Sequence, residues 1–597
     1  MQRLISFFLS VLTFLFPFLS CGGGYEAVPG EKFTSPFYGE AENGRDMTGL
    51  FNGVYALFGG TDTEHSLVYR FGNEAAYYDW MAKKIMWTGD TAYASELKAK
   101  MTGYPQTDNG YLWSWSTSTY WPTGSGNMHY DGIFTYISAV NEIISWENST
   151  DFLFVKDADS VGDDTALDAS RGRTVYEKCA LAMDYALNIL DGKNGVITIK
   201  ENSVYLADGV SRFDKNENGE YVWNNTGLEG SASSNYWDNF CFGNKDAYET
   251  VLFYNAVTSM ESIEKALGNA EKAAGYAALS EKIRVSFDET FWDDAKGRYV
   301  GCIDVNGVKH DLGFTFLNTM ALEAGLGDKE KADRIFSWLD GSRKIKGDTS
   351  TGKDITDYSA FINNIAGFGS VRTRYAFVPR STTVSVDAQK TKDGTWWESL
   401  NGAIDASKNG NAAYGAHLEN GGYIFWTVYY ELASYARFGY TDKLLSRVND
   451  LKKVYDFNGF DSDLGTWAEG LVGEFPENGI VSRVYVTDIL GFNAEDGALN
   501  ISPALPDGYS LLGTQKLYFG GNTFAAEVTE NSVRLVSESE IKPFDVLFNT
   551  GKAGTIRVEL YNADGVSISS GKYAANGKDG VRLSLFAPGA RSVVITY

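Results

Sequence analysis

Two carboxylates set among aromatic rings carry the clearest chemical signal in this chain. Glu419 stands on a glycine-rich turn, Ala416-His417-Leu418-Glu419-Asn420-Gly421-Gly422-Tyr423-Ile424-Phe425-Trp426. Asp238 lies well upstream, in Ser234-Asn235-Tyr236-Trp237-Asp238-Asn239-Phe240, just ahead of a predicted helix. Two such groups are the minimum apparatus for hydrolysing a glycosidic bond. One carboxyl, kept protonated, donates to the leaving oxygen, while the other stays ionised and activates water or attacks the sugar, because their environments push the two pKa values apart. A separation of about 6.5 to 9.5 Å leaves room for a water and gives inversion, whereas about 5 to 5.5 Å gives retention through a glycosyl intermediate. Each residue has a second reading. Asp238 ahead of Asn239-Phe240 also suits a helix N-cap or a sugar-hydroxyl ligand, and Glu419 also suits a carboxylate bracing the glycine turn. Glu398, in Thr395-Trp396-Trp397-Glu398, rivals both as a catalytic group, with Glu469 and Glu474 behind it.

Around the pair the sequence supplies flat rings that stack on sugar faces, namely Trp113, Trp115, Trp237, Trp396 and Trp397. His417, next to the turn, and Asp131, in His129-Tyr130-Asp131-Gly132, read as substrate-binding residues, Asp131 as a hydroxyl ligand. Arg380, in Pro379-Arg380-Ser381-Thr382, reads either as another such ligand or as a structural ion pair. Aromatic residues make up 14% of the chain, and most of them are needed for ordinary packing. The 597 residues carry 77 acidic against 52 basic side chains, a net charge of −25, which disfavours nucleic acid, anionic membranes and polyanionic substrates. A neutral or weakly charged oligosaccharide is the expected partner.

No cofactor or metal is expected. His65, His129, His310 and His417 are isolated from one another, and Cys179, Cys241 and Cys302 show no CxxC spacing, so they read as buried free thiols. The segment 347–353 fits GxxxxGK, but Asp354 stands where the hydroxyl residue belongs and no buried strand precedes it. Asp214-Lys215-Asn216-Glu217-Asn218-Gly219 opens like a calcium loop, yet Asn225 replaces the closing glutamate, so a hairpin between Val210 and Trp223 is the better reading.

The elements that must hold these residues are mostly helical. Leu252, Ala256, Met260, Ile263 and Leu267 form one stripe ending at Gly268, and Tyr276, Leu279, Ile283, Phe287 and Phe291 form the next. Further helices read at 75–87, 132–146, 175–190, 314–324, 329–339, 423–438 and 442–454. Long connections rich in Gly, Asn, Trp and Tyr separate the pairs, as between Asp108 and Asp131, and loops of this length inside a compact domain usually build a site. A toroid of paired helices with its loops converging on one end, an (α/α)6 barrel over residues 47–497, accounts for both features. From residue 498 the pattern alternates, as in Ile556-Arg557-Val558-Glu559-Leu560, which predicts an antiparallel β-sandwich over 498–597 with 501–508 as linker.

At the other end, Arg3, the apolar run from Leu4 to Leu19 and small Ser20 read as an export signal over 1–20, followed by an extension over 21–46. Cys21 before Gly22-Gly23-Gly24 resembles a bacterial lipoprotein lipobox and is expected to be the acylated residue, tethering an exported protein at the outer membrane or in the periplasm of a Gram-negative bacterium. Phe18 departs from that signal's usual leucine, and plain secretion is the alternative.

Paired helices, Tyr236-Trp237-Asp238-Asn239 before a helix, the Glu419-Asn420-Gly421-Gly422 turn and a trailing β domain together resemble the six-hairpin glycosidases. That superfamily includes trehalases, processing α-glucosidases, amylo-α-1,6-glucosidases and α-L-rhamnosidases. The resemblance implies a glycoside hydrolase in which Asp238 and Glu419 take the places of the Asp acid and Glu base, with inversion favoured. Ser233-Ser234-Asn235-Tyr236-Trp237 stands here where the trehalase and α-glucosidase types have Glu-Ser-Gly-x ahead of the aspartate. Two alternatives remain: a polysaccharide lyase or unsaturated-uronide hydrolase on the same barrel, and a non-catalytic glycan-binding lipoprotein.

Overall fold

The computed structural model describes residues 36–41, 47–55, 75–113, 129–157, 170–199, 213–215, 221–223, 235–236, 244–303, 307–311, 313–346, 425–458 and 476–597. Its helices divide by how much of their surface is apolar. In Thr315–Ala324 eight of ten residues are buried, whereas Ala270–Phe291 buries only Ala273, Ile283, Phe287 and Phe291 of its 22. A helix buried all round must be enclosed by others, and one with a single apolar stripe lies outside.

The packing follows that division. Tyr78–Ile85 packs on Asp131–Glu147, which packs on Ala247–Ala266, then Thr315–Ala324, Val428–Arg437 and Pro476–Ser482, and the last returns to Tyr78–Ile85. The six therefore close a ring. Each inner helix carries an outer partner, in the same order Thr91–Thr102, Val175–Asn188, Ala270–Phe291, Lys329–Leu339, Thr441–Asn458 and, for 476–482, Thr48–Val54. This is the expected (α/α)6 toroid. Every helix read from the periodicity is present, with ends shifted by a few residues.

Three helices escaped that reading. In 91–102 only Leu97 and Met101 are buried, too few to make a stripe, and 48–54 is barely two turns. The last inner element runs from a 3-10 segment, Pro476–Ser482, into a π segment, Tyr485–Ile489, so its apolar residues do not recur at 3.6.

Inner and outer partners are joined by tight turns at 267–269, 325–328 and 438–440, which force the two to run antiparallel. Long connections such as 103–130 and 189–246 instead lead from an outer helix to the next inner one. These loops therefore arrive at the end of the ring where the inner helices begin, whereas 148–174 joins an inner helix to its outer partner at the other end.

The β region is a two-sheet sandwich. One sheet has the order Phe37–Ala41, Tyr509–Phe519, Asn522–Thr529, Ser532–Val536, Ser592–Thr596, Ala553–Tyr561, Ser567–Asn576. The other runs Val581–Leu585, Phe544–Phe548, Ala498–Ile501, Phe492–Glu495. Phe544 meets Phe519 and Phe524 across the sheets, with ring centroids 6.0 and 5.5 Å apart. Two features differ from the sequence expectation. The pairing of 498–501 with 544–548 is parallel, with Leu499 opposite Val546. The sheets also recruit 37–41 and 492–495 from outside 498–597, so 502–508 joins two strands of the sandwich rather than two domains. Phe213–Lys215 pairs antiparallel with Tyr221–Trp223, Phe213 opposite Trp223, in keeping with the hairpin reading of this stretch. Cys179 is a buried free thiol, and Cys302 is buried as well. No helix among the described residues is long and apolar enough to cross a membrane.

Phe37 joins sandwich to ring. It is 2% exposed, stacks 5.9 Å from Trp87 and lies 4.6 Å from Tyr485, with Phe51 and Tyr55 at its edges. Its backbone is held by Asn52, whose Oδ1 accepts from Phe37 N at 2.9 Å and whose Nδ2 donates to Phe37 O at 2.7 Å. We predict that Phe37→Ala costs about 3 to 5 kcal/mol, the usual range for deleting a buried Phe side chain. A urea midpoint unchanged from the wild type would show that the strand does not tie the two layers.

Candidate active site

The end of the ring that receives the long loops is built from helix starts, whose first N–H groups lack intrahelical partners. Carboxylates meet that need. Asp246 caps the 247–266 helix, its Oδ1 accepting from Glu249 N at 3.0 Å, while its carbonyl accepts from Thr250 Oγ1 at 2.6 Å. Asp131 opens the neighbouring inner helix and its Oδ1 accepts from Gly132 N at 2.9 Å. Each uses its second oxygen to hold the chain at 235–236: Asn235 Nδ2 donates to Asp246 Oδ2 at 3.1 Å, and Tyr236 N donates to Asp131 Oδ2 at 2.7 Å. Asp131, Asp246 and Asn235 are all fully buried.

Glu249 lies with them, also fully buried, and neither of its oxygens makes a hydrogen bond of normal geometry among the described residues. Burial raises its pKa well above the carboxylate range, the charges of Asp131 and Asp246 add to that, and the nearby N–H groups of Asp131 and Tyr130 only partly oppose it. The carboxyl of Asp246 is raised too, first by burial, against the hydrogen bonds that it accepts. Burial also raises the Tyr248 phenol, with Asp131 adding to it. Three buried carboxyls this close disfavour one another's ionisation, and Glu249 is the one with the fewest hydrogen bonds to offset it among the described residues.

An aromatic wall stands beside the carboxyls. Tyr236 meets Trp80 at 5.0 Å, Tyr77 at 5.6 Å and Trp426 at 5.9 Å between ring centroids, and Trp80 meets Trp426 at 4.4 Å. Trp80 Nε1 donates to Tyr430 OH at 3.0 Å, which fixes the indole. The inner helices approach closely here: a Cβ on Gly132 would stand 2.6 Å from that of Ala75, and Thr135 Oγ1 donates to Ala75 O at 2.7 Å. Along the same helices, part-buried ion pairs join Lys83 to Asp79 at 2.8 Å and Arg483 to Glu142.

Asp131 and Trp113 are the sequence-predicted site residues that fall within the described structure. Asp131, expected to hold a sugar hydroxyl, instead gives both oxygens to backbone N–H groups at zero exposure. Trp113, expected to stack on sugar, is 1% exposed and part of the core, so its ring has no open face in this structure. Asp238, Glu419, Glu398, Trp115, Trp237, Trp396, Trp397, His417, Arg380 and Cys21 lie outside the described residues, as does 347–353. Sequence reasoning missed Asp246 and Glu249, although the spacing Asp246-Ala247-Tyr248-Glu249 has the form of a helix-start signature. Tyr77, Trp80 and Trp426, which pack around Tyr236, are themselves buried core residues, like Trp113. Among the described residues no group of three or more His, Cys, Asp or Glu side chains is arranged to hold a metal ion.

No family model matches the sequence, and no curated protein does. Among solved structures the chain is similar to an α-L-rhamnosidase from Dictyoglumus thermophilum, with 12% identity, TM-score 0.44, 94% of this chain and 50% of that one covered. It is also similar to an α-L-rhamnosidase from Aspergillus terreus, with 11% identity, TM-score 0.43, 91% of this chain and 50% of that one covered. A GH63 mannosylglycerate hydrolase from Thermus thermophilus matches at 10% identity and TM-score 0.34, over 69% of this chain and 91% of that one. The chain thus spans about half the length of the two rhamnosidases. The ring described above stands on the chain's own helix contacts.

The raised Glu249 carboxyl makes a stability prediction. Because its folded pKa lies above the unfolded value of about 4.3, folding takes up a proton between the two, and the stability present below pH ~4.3 is lost as pH rises towards the folded pKa. Gln mimics the protonated form and cannot ionise. We predict that Glu249→Gln matches the wild type near pH 4, exceeds it at pH 7 to 8 and shows a flatter melting temperature against pH. A parallel displacement of the two curves would place the buried proton elsewhere.

Proposed function

We propose that this chain is a glycoside hydrolase acting on a neutral or weakly charged oligosaccharide, with Asp238 and Glu419 as its two working carboxyls. The contact between Tyr236 and Trp426, 5.9 Å between ring centroids, carries this reading. Asp238 follows Tyr236 by two residues and Glu419 precedes Trp426 by seven. At about 3.3 to 3.6 Å per extended residue, these chain lengths allow both carboxyls to reach one space at the end of the ring. That space borders aromatic rings, and fixed rings beside paired acids suit a substrate with apolar faces and polar edges. Asp238 acts as the acid and Glu419 as the base that activates water, giving inversion.

The same proposal has the protein exported and tethered through acylated Cys21. An alkyne fatty acid fed to producing cells is expected to label the wild type and not Cys21→Ser, and equal labelling of both would exclude the anchor.

A panel of chromogenic glycosides and natural oligosaccharides tests the activity itself, since turnover separates an enzyme from a glycan binder and identifies the sugar. On a turned-over substrate, Glu419→Gln and Asp238→Asn are each expected to lower kcat by about 10² to 10⁴, the usual contribution of a positioned acid or base, with little change in affinity. Trp237→Ala is expected chiefly to weaken binding. Full turnover by Glu419→Gln would remove Glu419 from the chemistry and bring Glu398 forward.

A further inference from the structure

Asn235 and Tyr236 are held by side chains from two different inner helices. Asp246, the cap of 247–266, accepts from Asn235 Nδ2 at 3.1 Å, and Asp131, the first residue of 131–147, accepts from Tyr236 N at 2.7 Å. Consecutive residues of one loop are thus fastened to the starts of two helices that pack on each other in the ring. The Asn235 grip is buried and the Tyr236 grip part-buried, and both carboxylates are themselves fixed by helix N–H groups, Asp246 by Glu249 N and Asp131 by Gly132 N. Helix capping alone explains one oxygen of each carboxylate and leaves the other to be explained. A hydrogen bond shielded from water is electrostatically stronger than an exposed one, so the pair forms a stiff mount.

We propose that Asp131 and Asp246 are positioning residues for the reaction, a two-point clamp that fixes the Tyr236 ring in the aromatic wall and sets the backbone from which Trp237 and Asp238 follow. This rests on the glycosidase reading above. The clamp fixes both the position of the loop and its direction, because one grip holds a backbone N–H and the other the side chain of the preceding residue. Both carboxylates are fully buried and act through the loop that they hold.

Reversing the Asn235 to Asp246 hydrogen bond tests this. Asn235→Asp alone sets two carboxylates against each other and breaks the grip, whereas Asn235→Asp with Asp246→Asn restores a hydrogen bond running the other way and keeps a good N-cap at 246. Asp131→Asn is a second break, since one side of its amide must face a backbone N–H. We expect Asn235→Asp and Asp131→Asn to lower kcat about 10²-fold, with KM within a few-fold, as for a misplacement of about 1 Å. The double variant should recover most of that loss. Hydrogen exchange of the peptide carrying the Tyr236 amide should quicken in both single variants and return to wild-type protection in the reversed pair. Unchanged exchange in the single variants overturns the clamp, and faster exchange with unchanged kcat overturns its role in positioning. If the folded wild type turns over no glycoside at all, the glycosidase reading fails, while the exchange measurement still judges the clamp.

Discussion

Closing six helices into a ring leaves the backbone N–H groups at their starts without partners, and gathers those starts at one end. A helix start needs acceptors and favours negative charge, because its first N–H groups are unpaired and its dipole points that way. The ring body is apolar and cannot supply them. Carboxylates at Asp131 and Asp246 do, at the cost of being buried, and their burial in turn constrains Glu249. The chemistry of this end of the molecule thus follows from the architecture before any substrate is considered. The loops that the helices receive there are tied to the same carboxylates.

The sandwich works on the other side of the balance. Its strand 37–41 drives Phe37 into a nest of rings drawn from 48–55, Trp87 and Tyr485, and Tyr485 OH donates to Tyr38 O at 2.9 Å. Gly520 N donates to Trp146 O at 2.9 Å, binding a strand turn to the end of an inner helix. The last inner element, 476–489, is irregular, and these contacts give it a second surface to pack against. A ring made of unequal helices keeps its closure through such bracing.

The inner helices 131–147, 247–266 and 315–324 were legible because their apolar residues recur at helical spacing whatever surrounds them. Strand 37–41 was not, because Phe-Tyr-Gly-Glu-Ala is too short to show a period and its partner, 509–519, lies almost the whole chain away. Asp246 reads locally as an ordinary cap, and only the fold shows that its other oxygen holds Asn235. Asp131 drew attention as a carboxylate beside aromatics, which was sound, but its partner Tyr236 is 105 residues distant, so its bond could not be read from its neighbourhood. The rings packed around Tyr236 were hidden for the opposite reason: rings are abundant, and Trp80 and Trp426 are as buried as the rest of the core.

The pairing of 37–41 with 509–519 and the packing of 48–54 on 476–482 place early residues against late ones in both layers. A chain emerging from the ribosome at about 5 to 20 residues per second can form its middle hairpins as they appear. It cannot close the ring or finish the larger sheet until nearly all of it has been made. For half a minute or more, the apolar faces of the inner helices wait for neighbours not yet synthesised. Such a molecule suits a route on which the chain stays unfolded until complete, with a holding chaperone shielding those faces in the interval.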